Sequence, residues 1–299
     1  MIILSFLFGV ETAAAAPPRP LEFEDNTIRE RLLETFDAHF FPERVDELEL
    51  VHQHGVREIS AKGAAISGEG FGCLTTLVAE LKMNWDLFDA QERAEMTSIL
   101  APWKDDLMDP AWDPEDGPPP PDSPCWSDEY SNVVESEHFS VQWESNGIDE
   151  DEAEGFLESL EYSWDVEIDD LGWKEPTGTN SHSIMVLVPR NSSYAGAYTT
   201  VEYCSGSGYM PYIVAYSGSF NTGNWWKTMA CHELNHAIQF AYGYTHEFWW
   251  WEATATWIEE YVYPAYNDWA DMTYVYSLVP YIGMNASAGN SNDQYLFYH

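Results

Sequence analysis

Positive charge is what this chain has least of. Its 299 residues carry 12 Lys and Arg against 51 Asp and Glu, a net charge of −39 at neutral pH, so a dense negative field covers most of the surface. Nucleic acid and anionic membrane are therefore poor partners. Such acidity suits solubility in high salt, life outside the cell, or attraction of divalent cations, and composition does not separate the three. Long apolar runs are also lacking: past the leader, no stretch reaches the ~18 residues of a membrane span. Cysteine is sparse. Cys73, Cys125, Cys204 and Cys231 include no C-x-x-C pair, which argues against a cysteine-built zinc site, while an even count in an exported protein permits two disulfides in three pairings. Cys231 adjoins His232 but sits about 100 degrees round a helix from it, so the core or a disulfide is its expected place.

What is present divides the chain into regions. The opening “MIILSFLFGVETAAAAPPRP” has an apolar run followed by small residues and prolines, as in a secretory signal peptide over residues 1–16, without its charged beginning. Secretion, to an extracellular or periplasmic location, is the expectation. Residues 17–108 read as a mainly helical accessory or propeptide-like region: “DNTIRERLLETF” and “CLTTLVAELKMNW” show helical spacing, and Asp89 with Glu92 has capping-box spacing before another helix. Residues 109–125, “DPAWDPEDGPPPPDSPC”, form a proline-rich linker in which helix is disfavoured.

From 126 to 299 the pattern changes. “EHFSVQW” alternates as a strand, “DEDEAEGFLESLEYSWDVEIDDLG” is a long acidic helix ending near Gly172, and “HSIMVLVP” is a buried strand stopped by Pro189. “AGAYTTVEY” and “PYIVAYSG” predict two more strands. Helices are expected over Trp225–Tyr242, ended by Gly243, and from Phe248 to Val262 before Pro264. The acids of Asp109–Asp116 and Asp149–Glu152 lack the ligand spacing of an EF-hand, so solvated acidic loops are the better reading and calcium is only weakly supported. The chain ends in “DQYLFYH”, with no polar tail, which suggests a domain cut short. Oligomeric state is not legible.

Of nine histidines, two fall in “TMACHELNHAIQF”. On a helix, His232 and His236 project from one face and both imidazoles reach one ion at about 2 Å. Glu233, offset by one residue, flanks that ion and is placed to take a proton from a water whose pKa a zinc ion lowers toward about 7. H-E-x-x-H is thus a reaction layout as well as a binding site. Catalytic zinc usually has three protein ligands and a water. A histidine in the metzincin position is missing, since Tyr242 stands there. A second helix packed antiparallel would bring Glu252 back to the metal's level, and Glu259, two turns or about 10 Å further on, could not bind the same ion. Glu259 and Glu260 are then outer partners or surface groups, with Glu259, Glu260 and Asp271 the alternatives to Glu252. His246 and Glu247 fall in or near the turn. Thr256, one turn after Glu252, is placed to hydrogen-bond a ligand.

“HELNH” followed by “WWWEATATW” resembles the gluzincin metallopeptidases, in which a zinc helix is followed by a glutamate helix. It is particularly similar to secreted bacterial metalloproteases with a tryptophan-rich lead into E-A-T-A or E-G-T-A. The resemblance spans residues 126–264 and is strongest from Thr228 to Glu260. It implies His232, His236 and Glu252 as zinc ligands and Glu233 as general base. Trp251 and Thr256 stand where thermolysin-like enzymes carry asparagine and aspartate, and Tyr263, Tyr274, Tyr295, Tyr298 and His299 all qualify as the oxyanion-stabilising group of such enzymes.

The expected fold is α+β, a zincin-like domain of small mixed sheet, zinc helix and glutamate helix behind a helical N-terminal region. The expected function is a secreted zinc metalloendopeptidase acting on protein or peptide substrates. A zinc aminopeptidase and a non-catalytic, zinc-stabilised extracellular binding module are the alternatives. “PYIVAYSGS”, Pro211–Ser219, is either the sheet edge that pairs with an extended substrate or an internal strand. The tryptophans at 225, 226, 249, 250, 251 and 257 are expected mostly as packing.

Overall fold

The run Ile184–Val188, IMVLV, is buried at every position, and its neighbours show why. Ile184, Val186 and Val188 face one apolar cluster while Met185 and Leu187 face another, the alternation of a strand covered on both sides. The computed structural model describes residues 25–40, 71–102, 107, 130–145, 147–189, 194–204, 207–221, 223–243 and 248–266. The leader, the linker with Asp109–Asp116, His246, Glu247, Asp271, Tyr274, Tyr295, Tyr298 and His299 lie outside the described residues.

The described residues fold as α+β around a six-stranded mixed sheet. Its strands are β1 (Phe71–Cys73), β2 (Asn132–Glu135), β3 (Phe139–Trp143), β4 (Ile184–Val188), β5 (Ala195–Cys204) and β6 (Gly208–Ala215), in the spatial order β1-β5-β6-β4-β3-β2. β1 runs parallel to β5, β3 to β4 and β4 to β6, whereas β2 with β3 and β5 with β6 are antiparallel. Of the two readings of Pro211–Ser219, the internal one holds and the edge one does not: β6 lies between β5 and β4. Its residues Met210 to Ala215 are fully buried, so apolar cover on both faces and pairing on both sides place it in the middle.

Two helical layers cover the sheet. On one face lie α1 (Asp25–Phe40), α2 (Thr75–Met83) and α3 (Ala90–Leu100), whose Leu32, Phe36, Leu77, Leu81, Met96 and Leu100 pack with Tyr198, Tyr212 and Val214 of the strands. The N-terminal helices and the sheet therefore share one core. On the other face lie α4 (Glu150–Trp164), α5 (Trp225–Tyr242) and α6 (Phe248–Val262). Capping boxes start α3 at Asp89 with Glu92 and α4 at Asp149 with Glu152, satisfying the first free N–H groups of each helix. The acids at 149–152 thus serve, in part, a helix start. Past Trp164 the chain winds on as a π-helical turn, Asp165–Asp170, which carries Glu167 into the interior with no solvent exposure. Glycines at positive φ end two of these elements, Gly172 at 71° and Gly243 at 120°, where a side chain would be strained. No helix among the described residues is long and apolar enough to cross a membrane.

Candidate metal centre

α5 contains no glycine or proline between Trp225 and Tyr242, so its register is unbroken and His232 and His236 fall on one face. α6 packs against it in the opposite direction: Gln239 meets Trp251 and Thr254, while His232 meets Glu259. That crossing brings Glu252 to the two imidazoles. Its Oε2 is 3.4 Å from His232 Nε2 and its Oε1 3.7 Å from His236 Nε2. A fourth donor comes from the far side of the sequence. Cys73, the last residue of β1, places its Sγ 3.3 Å from His236 Nε2 across 163 residues. One donor atom from each of Cys73, His232, His236 and Glu252 lies within 4.8 Å of the others, and all four residues are buried.

The hydrogen bonds around the rings fix how they can act. Gln239 Nε2, with two N–H groups, lies within hydrogen-bond reach of three acceptors, Asn235 Oδ1 at 2.8 Å, the Trp251 carbonyl at 3.0 Å and Thr254 Oγ1 at 2.7 Å. Its Oε1 is then the acceptor for His236 Nδ1, 2.8 Å away. Glu259 Oε1 takes the same role 2.5 Å from His232 Nδ1. With both Nδ1 atoms donating, rings in the neutral form turn their Nε2 lone pairs to each other across 3.1 Å. Two such acceptors repel unless a cation lies between them. Glu252 says the same: it is 1 % exposed, yet neither carboxylate oxygen accepts a hydrogen bond among the described residues, an expensive arrangement for buried charge that a cation removes. Donors about 2.0–2.3 Å from a tetrahedral ion lie about 3.3–3.6 Å apart, close to the four spacings of 3.1–3.7 Å, while the widest separation in the group, 4.8 Å, would have to close on an ion. This group can bind a metal ion.

Charge agrees with geometry. Burial by itself would lower the proton affinity of both imidazoles, but Cys73 and Glu252 beside them raise it well above the ordinary histidine value. Burial would likewise raise the Glu252 carboxyl, yet His236 and His232 hold it down at about 2. Without metal these rings hold their protons tightly against Glu252, so a metal cation would have to displace protons to bind the same Nε2 atoms.

Glu233 stands apart from the four. It is buried, and its Oε2 accepts from Thr75 Oγ1 at 3.2 Å and lies 2.7 Å from Thr199 Oγ1. Thr75 Oγ1 in turn accepts from the Thr199 amide at 2.8 Å. Asn235, directly before His236, donates to Glu167 Oε2 at 3.0 Å. Burial pushes the Glu167 carboxyl well above its usual range, only partly opposed by that hydrogen bond. Thr256, expected near a ligand, donates to the backbone oxygen of Glu252 at 2.8 Å. Tyr263 turns its hydroxyl to the Ser159 carbonyl at 3.4 Å. Tyr194 is partly buried against the core beneath the N-terminal helices, and burial raises its phenol pKa, with smaller contributions from Tyr216, Cys73 and Glu233. Of the tryptophans, Trp251 is 2 % exposed and Trp250 47 %; the first packs edge-on against Phe240, with ring centroids 4.8 Å apart.

Sequence reasoning missed Cys73, Thr75, Thr199, Gln239 and Glu167. Of the two disulfides that four cysteines permit, Cys73 and Cys231 form none, being free and buried, as the core placement expected for Cys231 allows, whereas Cys204 is disulfide-bonded. A cleft of about 600 Å³ beside Trp173, Lys174 and Thr179 shares no residue with the donor group. In comparisons with known proteins, no family model, no curated protein and no solved structure matches this chain.

Proposed function

We propose that this protein is a secreted zinc metallopeptidase of gluzincin type, with a zincin-like arrangement of sheet, zinc helix and glutamate helix. His232, His236 and Glu252 are its metal ligands, Glu233 is its general base, and proteins or peptides are its substrates. The observation that carries the reading is the pair of Nε2 atoms 3.1 Å apart, each ring engaged elsewhere through Nδ1, beside the buried Glu252 carboxylate and the Cys73 sulfur. Imidazole and thiolate donors favour zinc over calcium or magnesium, which prefer oxygen. A zinc ion there would supply Lewis-acid polarisation of the scissile carbonyl and acidify a water. Glu233 takes a proton from the attacking water and returns it to the departing amine nitrogen. Thr75 and Thr199 orient its carboxylate. Glu259 and Gln239 keep both rings in the tautomer that leaves Nε2 free. The disulfide at Cys204 accords with an oxidising compartment.

One observation favours a second reading. Four protein donors make a closed centre, the ligand count of structural zinc, which fits a zinc-stabilised binding module. The two readings separate on metal analysis combined with casein and peptide-library cleavage, with and without chelator. The wild type, C73A, and E233Q in both backgrounds are compared. Cleavage that needs zinc, and falls by about 10²–10⁴-fold in E233Q with zinc content unchanged, supports the peptidase. Zinc-loaded wild type and C73A that both cleave nothing refute it.

A further inference from the structure

We propose that Cys73 is a displaceable fourth ligand that holds the centre in a latent form, while Thr75 just behind it keeps the general base in place. The inference rests on the peptidase reading above. A catalytic zinc keeps one coordination position for water, whereas a closed site fills all four. The donor that fills the last position here is set apart from the other three. His232, His236 and Glu252 sit on two long helices, but Cys73 ends a three-residue edge strand paired with β5 at three positions only. Two residues later, Thr75 Oγ1 donates to Glu233 Oε2. One turn of chain thus engages both groups the reaction needs, the metal corner and the proton acceptor. The result is a covered site, with Cys73 7 %, His232 4 %, Glu233 1 %, His236 0 % and Glu252 1 % exposed.

The anchoring is strong on one side of Cys73 and weak at it. Leu74, Leu77, Val78 and Leu81 are buried in the core that α2 shares with the sheet, so removing the N-terminal helices would uncover Tyr198, Tyr212 and Val214. Opening therefore involves β1 and not the helices behind it. α2 starts at Leu74 without a side-chain cap, and the Cys73 sulfur itself accepts from the Thr75 amide at 3.3 Å. Among the described residues, lifting β1 breaks only its three paired positions with β5 and the bond from the Thr75 amide to the Cys73 sulfur. It uncovers the outer edge of β5 next to the metal corner, where an extended peptide can pair.

The test combines a structural and a catalytic reading of the full chain loaded with zinc. X-ray absorption of the wild type should show one sulfur at about 2.3 Å from zinc, absent in C73A and in the near-isosteric C73S. If the open form is a minor state of about 0.1–10 %, C73A and C73S should raise kcat/KM for casein about 10- to 1000-fold while binding one zinc. No sulfur near zinc in the wild type overturns the proposal whether or not the variants fold. Sulfur present with wild type cleaving as fast as the variants also overturns it, yet leaves the peptidase reading intact. Sulfur present with no cleavage by any zinc-loaded protein overturns both readings.

Discussion

Replacing Gln239 by leucine tests whether the ring tautomers matter. Gln239 touches no metal position, yet its Oε1 is the acceptor that fixes the His236 proton on Nδ1. Loss of such an outer partner typically lowers metal affinity about 10–100-fold, or about 1.4–2.7 kcal/mol. The amide nitrogen has a second task, tying Asn235 to the Trp251 carbonyl and Thr254 across the α5–α6 contact. Leaving one such buried acceptor unpaired costs about 1–3 kcal/mol, so Q239L should also lower the stability of the metal-free protein. Q239E separates the two effects: it keeps an acceptor for His236 Nδ1 but sets a carboxylate against the acceptors the amide served. It should bind zinc at least as tightly as wild type and still lose metal-free stability. Zinc affinity is measured by competition with a chromophoric chelator, and stability by thermal melting in excess chelator. A folded Q239L protein with wild-type zinc affinity would refute the tautomer reasoning.

A pH prediction follows from Glu167. Its folded-state pKa is raised by burial, so the native state holds a proton that the unfolded chain releases above about 4.3. Stability then falls as pH rises from that value to the raised one, by at most about 1.4 kcal/mol per pH unit. E167Q has no such proton. In chelator, urea midpoints of wild type and E167Q should therefore diverge with rising pH, and parallel curves above the unfolded value would contradict the assignment. Phe156 is fully buried, with its ring edge-on to Phe220 at 5.2 Å. F156A should cost about 3–5 kcal/mol in urea unfolding, and a cost under half of that would show that α4 is not seated as described.

Local chemistry was the legible part of this sequence. The bounds Trp225–Tyr242 and Phe248–Val262 match the expected helices, because an unbroken helical run and Gly243 are read within a few residues. The capping boxes at Asp89 and Asp149 likewise depend on partners three residues apart. What failed depends on distance. Strand order is set by how layers close over a sheet, so β6 carried no mark that separates internal from edge. Nothing near Cys73 announces a partner 163 residues away, and a three-residue strand is too short for alternation to show. Glu252, by contrast, was reachable, since one turn and a rise of about 1.5 Å per residue place it opposite the histidines, as the structure does.

The sheet order has a consequence for a nicked chain. β1 is the first strand in sequence but lies against β5, and the helices flanking it share a core with β4 to β6. A break between Leu107 and Asn132 would therefore not release the upstream piece. Both fragments would travel as one particle on a sizing column and part only on a denaturing gel.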